Sequence, residues 1–173
     1  MRATIAWTAQ QLTPRQRDFL SRLPEQVILD VDDLGPVRFC HGSPRSDEEI
    51  ITRLTPDARL RPMLAGVRES IIVCGHTHRQ LDRTVDDKRV VNAGSVGMPF
   101  EGTPGAYWTL LGPTVELRRT PYDFERAASM VRATGFPGAA ALATDNVLAS
   151  PPAEETAAFF ERMATERNRT TGA

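Results

Sequence analysis

Apolar and polar positions along the chain follow two rhythms. The first is helical. Phe19, Leu20 and Leu23 form a stripe behind Thr13, a residue suited to capping, and Pro14, which fits a first turn, so a helix is predicted over 13–23. Two short apolar runs follow, "QVILDVDD" from Gln26 and "PVRFCHG" from Pro36. Leu34, Gly35 and Pro36 supply turn material between them, and the pair predicts a hairpin. In "SPRSDEEIITRL", Ser46 and Glu49 have the spacing of a capping box, which predicts a short helix there. Thr55 and Pro56 open a further helix, "PDARLRPMLAGV", in which Pro62 predicts a kink or a split. "SIIVCG" is apolar on both faces and reads as a central strand.

The rest of the chain continues this pattern. "QLDRTVDDKRVVNAG" predicts a hairpin turning at Asp86 and Asp87, and "AYWTLLG" with "TVELRRT" predicts another around Gly112 and Pro113. Between them, "SVGMPFEGTPG" reads as an ordered loop or a linker. A helix is predicted from Asp123 to Thr134, with Phe124, Ala127, Ala128 and Val131 on one side and Gly135 and Pro137 as stops. The Ala-rich remainder holds one more helical stretch, about 153–167, with Ala157, Phe159, Phe160 and Met163 as apolar positions. The final "NRTTGA" is expected to fray. Helices mixed with hairpins, without strict strand–helix alternation, give a mixed α/β class.

Composition narrows the options. A length of 173 residues suits one domain with an appendage, and a formal net charge of −1 points to neither nucleic acid nor an anionic membrane as partner. No apolar stretch approaches the ~20 residues of a membrane span, and "MRATIAWTAQQL" has no signal-peptide core. Cys40 and Cys74, the only two cysteines, read as buried thiols at strand ends, in keeping with a reducing, cytoplasmic setting.

The candidate chemistry lies in the three histidines. His41 opens "HGSPR", and His76 and His78 stand in "CGHTHRQ", each motif directly after an apolar run. Loops past strand ends are common places for metal ligands, and a neutral imidazole suits zinc, manganese, iron or nickel. Gly42 and Gly75 allow tight turns beside the rings. Three histidines and a water would suffice for a tetrahedral zinc, whereas a two-metal centre needs a bridging carboxylate as well. No Asp or Glu has a comparable placement: Asp30, Asp32 and Asp33 fit a solvated turn, and Asp47 and Glu48 fit a helix start.

"HGSP" at 41–44, "GHTH" at 75–78 and "NAGSVG" at 92–97, in this order, resemble the closing motifs of the calcineurin-like metallophosphoesterases, in particular the small bacterial and archaeal phosphodiesterase-like branch. "WTAQQLTPRQRDFLSRLP" resembles the helix preceding them, so the likeness covers about residues 5–134. The resemblance implies a four-layer αββα sandwich around two divalent ions, manganese or zinc, with iron or nickel as alternatives. By that likeness His41 and His76 are ligands of one ion and His78 of the other. Asn92, Gly94, Ser95 and Gly97 form the supporting loop. Arg45 is a candidate phosphate contact, and Met98, Phe100 and Tyr107 are candidates for the pocket mouth. Ala93 stands where the family usually has proline.

The family's opening elements, Asp-x-His, Gly-Asp and Gly-Asn-His, are not found in the sequence. They carry the bridging ligand and the general acid, so no catalytic residue is assigned. The expectation is an N-terminally truncated phosphoesterase, with a partial domain at 1–134 and a partly disordered helical extension at 135–173. It would hold one ion or none and have impaired hydrolysis of a phosphate-ester small molecule. The alternative is a non-catalytic metal-binding or interaction module. Exposed apolar surface around Leu12, Phe19 and Val27 would favour self-association.

Overall fold

The computed structural model describes the backbone of residues 2–171 and the side chains of residues 3–167. Two helices lead the chain, α1 (Arg2–Gln11) and α2 (Pro14–Leu20). Thr13 caps α2 in a reciprocal capping box with Gln16, and Pro14 occupies the first turn as expected. Strands β1 (Gln26–Val31) and β2 (Gly35–Cys40) form the expected antiparallel hairpin. Helix α3 (Asp57–Leu64) keeps Pro62 inside it. Strand β3 (Ile71–Cys74) and the hairpin β4 (Gln80–Val85) and β5 (Lys88–Ala93) complete a five-stranded mixed sheet of order β1-β2-β3-β5-β4, with β3 central. A separate two-stranded sheet comprises β6 (Ala106–Leu111) and β7 (Val115–Thr120).

The larger sheet is covered on both faces. Alternation along β3 sends Ile72 and Cys74 to one side, where they meet Leu60, Met63 and Leu64 of α3. Ile71 and Val91 face the other side with Val37, and Leu111 and Val115 of the small sheet pack against them. Helix therefore lies on sheet and sheet on sheet, a mixed α/β architecture of the expected class.

The predicted helix after Ser46 does not form; residues 43–56 follow an irregular path. Glu49 turns away from a capping role, since its carboxylate accepts hydrogen bonds from Ser43 Oγ and from the Arg45 guanidinium. The loop curls over Gly42 so tightly that a Cβ there would lie 2.7–2.8 Å from the carbonyl oxygens of Asp47, Glu49 and Ser46.

The C-terminal part is helical throughout much of its length. Helix α4 (Phe124–Arg132) is capped by Asp123 and packs Ala128 against Ala143 and Val147, which lie in a π-helical turn, Ala143–Val147. Helix α5 (Ala139–Leu142) precedes that turn, and α6 (Ala153–Thr171) ends the described chain. The side chains of the expected frayed tail, 168–173, lie outside the described residues. Strand β1 is an edge strand with Val27, Ile28 and Leu29 exposed, and Phe19 and Leu23 of the α2 region are exposed as well. Leu12 is half-buried. No described helix is long and apolar enough to cross a membrane.

Candidate metal centre

Strands β2, β3 and β5 run parallel in register, with Phe39 opposite Val73 and Cys74 opposite Asn92. Parallel neighbours deliver their carboxyl ends to one edge of the sheet, the edge where open α/β sheets place ligands. That edge carries His41 after β2, His76 and His78 after β3, and Asn92 within the end of β5. The Gly75 N–H continues the pairing by donating to the His41 carbonyl at 2.8 Å.

This placement brings two of the histidines together. His76 Nδ1 lies 3.1 Å from His41 Nε2, with ring centroids 4.9 Å apart at an edge-on angle. At this distance one ring can donate its N–H to the other's lone pair, or both lone pairs can turn to a shared cation. Nitrogen ligands ~2.0–2.1 Å from one ion stand ~2.9 Å apart at a right angle and ~3.3 Å apart in a tetrahedron. The observed separation lies between those limits, so the pair fits two ligand positions of one ion. Burial holds the His76 pKa below the usual imidazole value, the nearby His41 adding to this, which favours the neutral, metal-binding form of the ring.

His78 takes another direction. Its Nδ1 meets the Met98 carbonyl at 3.0 Å, and its ring stacks on Phe100 with centroids 5.4 Å apart. Among the described residues no group of three or more His, Cys, Asp or Glu side chains is arranged to hold an ion. Both His76 and His78 have left-handed backbone, with φ of 65° and 54°. Strained conformations of this kind persist where surrounding structure enforces them.

The enforcing structure is Thr77 and Asn92, both fully buried. Asn92 Nδ2 donates to the Gly75 carbonyl at 2.5 Å and to Thr77 Oγ1 at 3.1 Å, while Thr77 Oγ1 donates to the Ile51 carbonyl at 3.3 Å. Asn92 Oδ1 accepts from the Gly94 N–H at 2.9 Å. At Gly94, with φ +82°, a Cβ would lie 2.9 Å from Gln80 Cγ and from Tyr107 Cβ. Ser95 Oγ accepts from the Met98 N–H at 3.0 Å, which sets the carbonyl that His78 meets. Gly97 stands in open space. Arg45 is engaged by Glu49 through Nε at 2.8 Å, and that bond raises its pKa. Tyr107 is buried, with its hydroxyl donating to the Thr103 carbonyl.

Cys40 and Cys74 are free thiols pushed by burial up to about 11 and about 12, so neither supplies a thiolate at neutral pH. The sequence reading did not single out the Phe100–Phe160 contact or Glu161. The helical spacing of Ala157, Phe160, Glu161 and Ala164 is the signal that marks that face of α6.

Residues 12–111 match the calcineurin-like phosphoesterase superfamily domain. The chain belongs to that superfamily. Membership implies the use of divalent metal, to which the His41–His76 pair is suited. Two solved structures share the phosphoesterase fold. A hypothetical protein from Pyrococcus horikoshii OT3 is 20% identical with a TM-score of 0.70, the match covering 82% of this chain and 58% of that one. A metallophosphoesterase from Sphaerobacter thermophilus is 23% identical with a TM-score of 0.66, covering 83% of this chain and 64% of its own. This phosphoesterase-superfamily chain thus spans less than two thirds of the length of either neighbour. No curated protein matches it.

Proposed function

We propose that the chain carries part of a metal-dependent phosphoesterase centre acting on a small phosphate ester or diester. The observation that carries this reading is the 3.1 Å approach of His41 Nε2 and His76 Nδ1 at the ends of adjacent parallel strands. His41 and His76 hold one manganese or zinc ion, and His78 belongs to a second. When bound, the metal centre supplies Lewis acidity toward phosphoryl oxygens and lowers the pKa of water. The chain's own residues provide a neutral donor at His76, a loop held by Asn92 and Thr77, and Arg45 as a cation that a substrate phosphate would have to win from Glu49.

Activity of the 173-residue chain alone is expected to be weak, because no carboxylate joins the imidazole pair among the described residues. The same observation favours a second reading, a metal-binding or interaction module without catalysis. The free cysteines are consistent with a cytoplasmic location, and the exposed apolar surface of β1 and the α2 region with self-association, for which light scattering is the test.

Metal content by mass spectrometry, with manganese-dependent hydrolysis of bis-p-nitrophenyl phosphate, tests the main reading. At least one bound ion, lost in His76→Ala, is expected, together with little turnover. An ion-free protein after exposure to manganese and zinc would defeat the metal assignment. Rapid turnover abolished by His76→Ala would keep the phosphoesterase and overturn the impairment. Bound metal with no turnover at all would leave the non-catalytic module.

A further inference from the structure

The superfamily match ends at residue 111, yet a C-terminal segment returns to the loops that bear the histidines. Ser150 Oγ donates to the Pro99 carbonyl at 2.8 Å and accepts from the Glu101 N–H at 3.1 Å. The Gly102 N–H donates to the Pro151 carbonyl at 3.0 Å. Arg79, which follows His78, donates to the Ala153 carbonyl at 2.6 Å and pairs with Glu154 at 3.2 Å. Further along α6, Glu161 accepts from Thr52 Oγ1 and Thr55 Oγ1 at 2.6 Å each and pairs with Arg59. Small residues at Ala157 and Ala164, both buried, line the same face of the helix.

Between these two anchorages lies a ladder of rings. Phe160 of α6 meets Phe100 with centroids 5.9 Å apart, and Phe100 stacks on His78 at 5.4 Å with an interplanar angle of 23°. The Phe100 N–H donates to the His78 carbonyl at 3.0 Å, and the Met98 carbonyl meets His78 Nδ1 at 3.0 Å. The imidazole is thus gripped on its face by Phe100 and at its edge by the Met98 carbonyl. Both belong to the 98–102 loop, which Ser150 and Pro151 clip to the C-terminal segment. With Nδ1 taken by the carbonyl in its protonated form, the other nitrogen is left as the donor atom, the arrangement by which a histidine ligand's tautomer is set.

We propose that residues 150–167 form a strap that positions the His78 imidazole through the 98–102 loop, with Phe160 and Ser150 as positioning residues. The proposal rests on the metal reading only for its purpose; the orientation of the ring is a property of the chain by itself. A strap that releases the 98–102 loop would let the ring leave its stacked position. Outer-shell groups that fix a ligand's ring typically carry about 10–100-fold in metal affinity.

The three histidines make the test clean, because each ring gives its own set of resonances in protein labelled at histidine. The probes are the metal-free 173-residue chain and the same sample titrated with zinc. In metal-free protein, Phe160→Ala and Ser150→Ala are expected to move the His78 ring signals while those of His41 and His76 stay near their wild-type positions. Zinc binding read at His78 is expected to weaken about tenfold. Phe160→Tyr restores both readouts, and Glu155→Ala, on the exposed side of α6, changes neither.

Circular dichroism checks the fold, and Ser150→Ala decides alone if Phe160→Ala unfolds. His78 signals that superimpose on wild type in the folded variants would overturn the proposal, as would equal displacement of all three rings. If zinc moves no ring in the wild type, the metal reading fails, and the metal-free spectra still decide the strap.

Discussion

Replacing Asn92 by alanine removes the clasp beneath the histidine loop, and the cost can be worked out bond by bond. Asn92 is fully buried and makes three hydrogen bonds, to the Gly75 carbonyl, to Thr77 Oγ1 and from the Gly94 N–H. The lost partners are not equally harmed. The Gly75 carbonyl still accepts from the Thr77 N–H at 2.7 Å, and Thr77 Oγ1 still donates to the Ile51 carbonyl. For these two the net loss is about 0.5–1.5 kcal/mol each. The Gly94 N–H loses the Asn92 Oδ1 acceptor outright, so it bears the larger desolvation cost of about 1–3 kcal/mol. The sum is centred near 3–4 kcal/mol, before any cavity term. For a chain of this length such a loss lowers Tm by roughly 6–16 °C. Urea and thermal unfolding of Asn92→Ala measure it, and amide exchange at 75–78 is expected to accelerate more than exchange in β4. A Tm within 2 °C of wild type, or loop amides as protected as before, would refute the claim that Asn92 holds the loop.

Other outcomes follow from the same contacts. Glu161→Ala leaves Arg59 largely buried without its carboxylate and with Nε already lacking a partner, so a loss of about 3 kcal/mol is expected in urea denaturation. Burial holds the Glu101 pKa above the usual carboxylate value, only partly offset by the Gln80 N–H and Arg79. The folded state therefore binds more protons than the unfolded one in that window. The stability contributed is complete below about 4.3 and lost as pH rises through the folded value, and Glu101→Gln should flatten this part of a urea-midpoint profile from pH 4 to 7.

Much of the scaffold was legible because it is local. The three hairpins, the capped helix after Thr13 and the central strand at 71–74 each announce themselves within about ten residues. The expectation that histidines from separate motifs meet came from their placement after apolar runs and from the resemblance, and the pairing of β2 with β3 brings His41 and His76 together. The segment after Ser46 misled because a capping-box spacing reports a local preference. Glu49 found better partners in Ser43 and Arg45, and the crowded backbone around Gly42 fixed the loop in a shape no spacing encodes. The contacts of Phe160 and Glu161 were illegible for a different reason. They join positions 60 to more than 100 residues apart, where pattern within a window carries no information.

The left-handed backbone at His76 and His78 sets two demands against each other. Glycine or asparagine adopts that geometry at less cost than histidine, by an amount on the order of 1 kcal/mol per position. A library randomised at these two sites and selected only for survival of heating should drift toward glycine and asparagine. Each such gain in robustness would be taken from the imidazoles, so any attempt to toughen this protein without blunting it must start elsewhere in the chain.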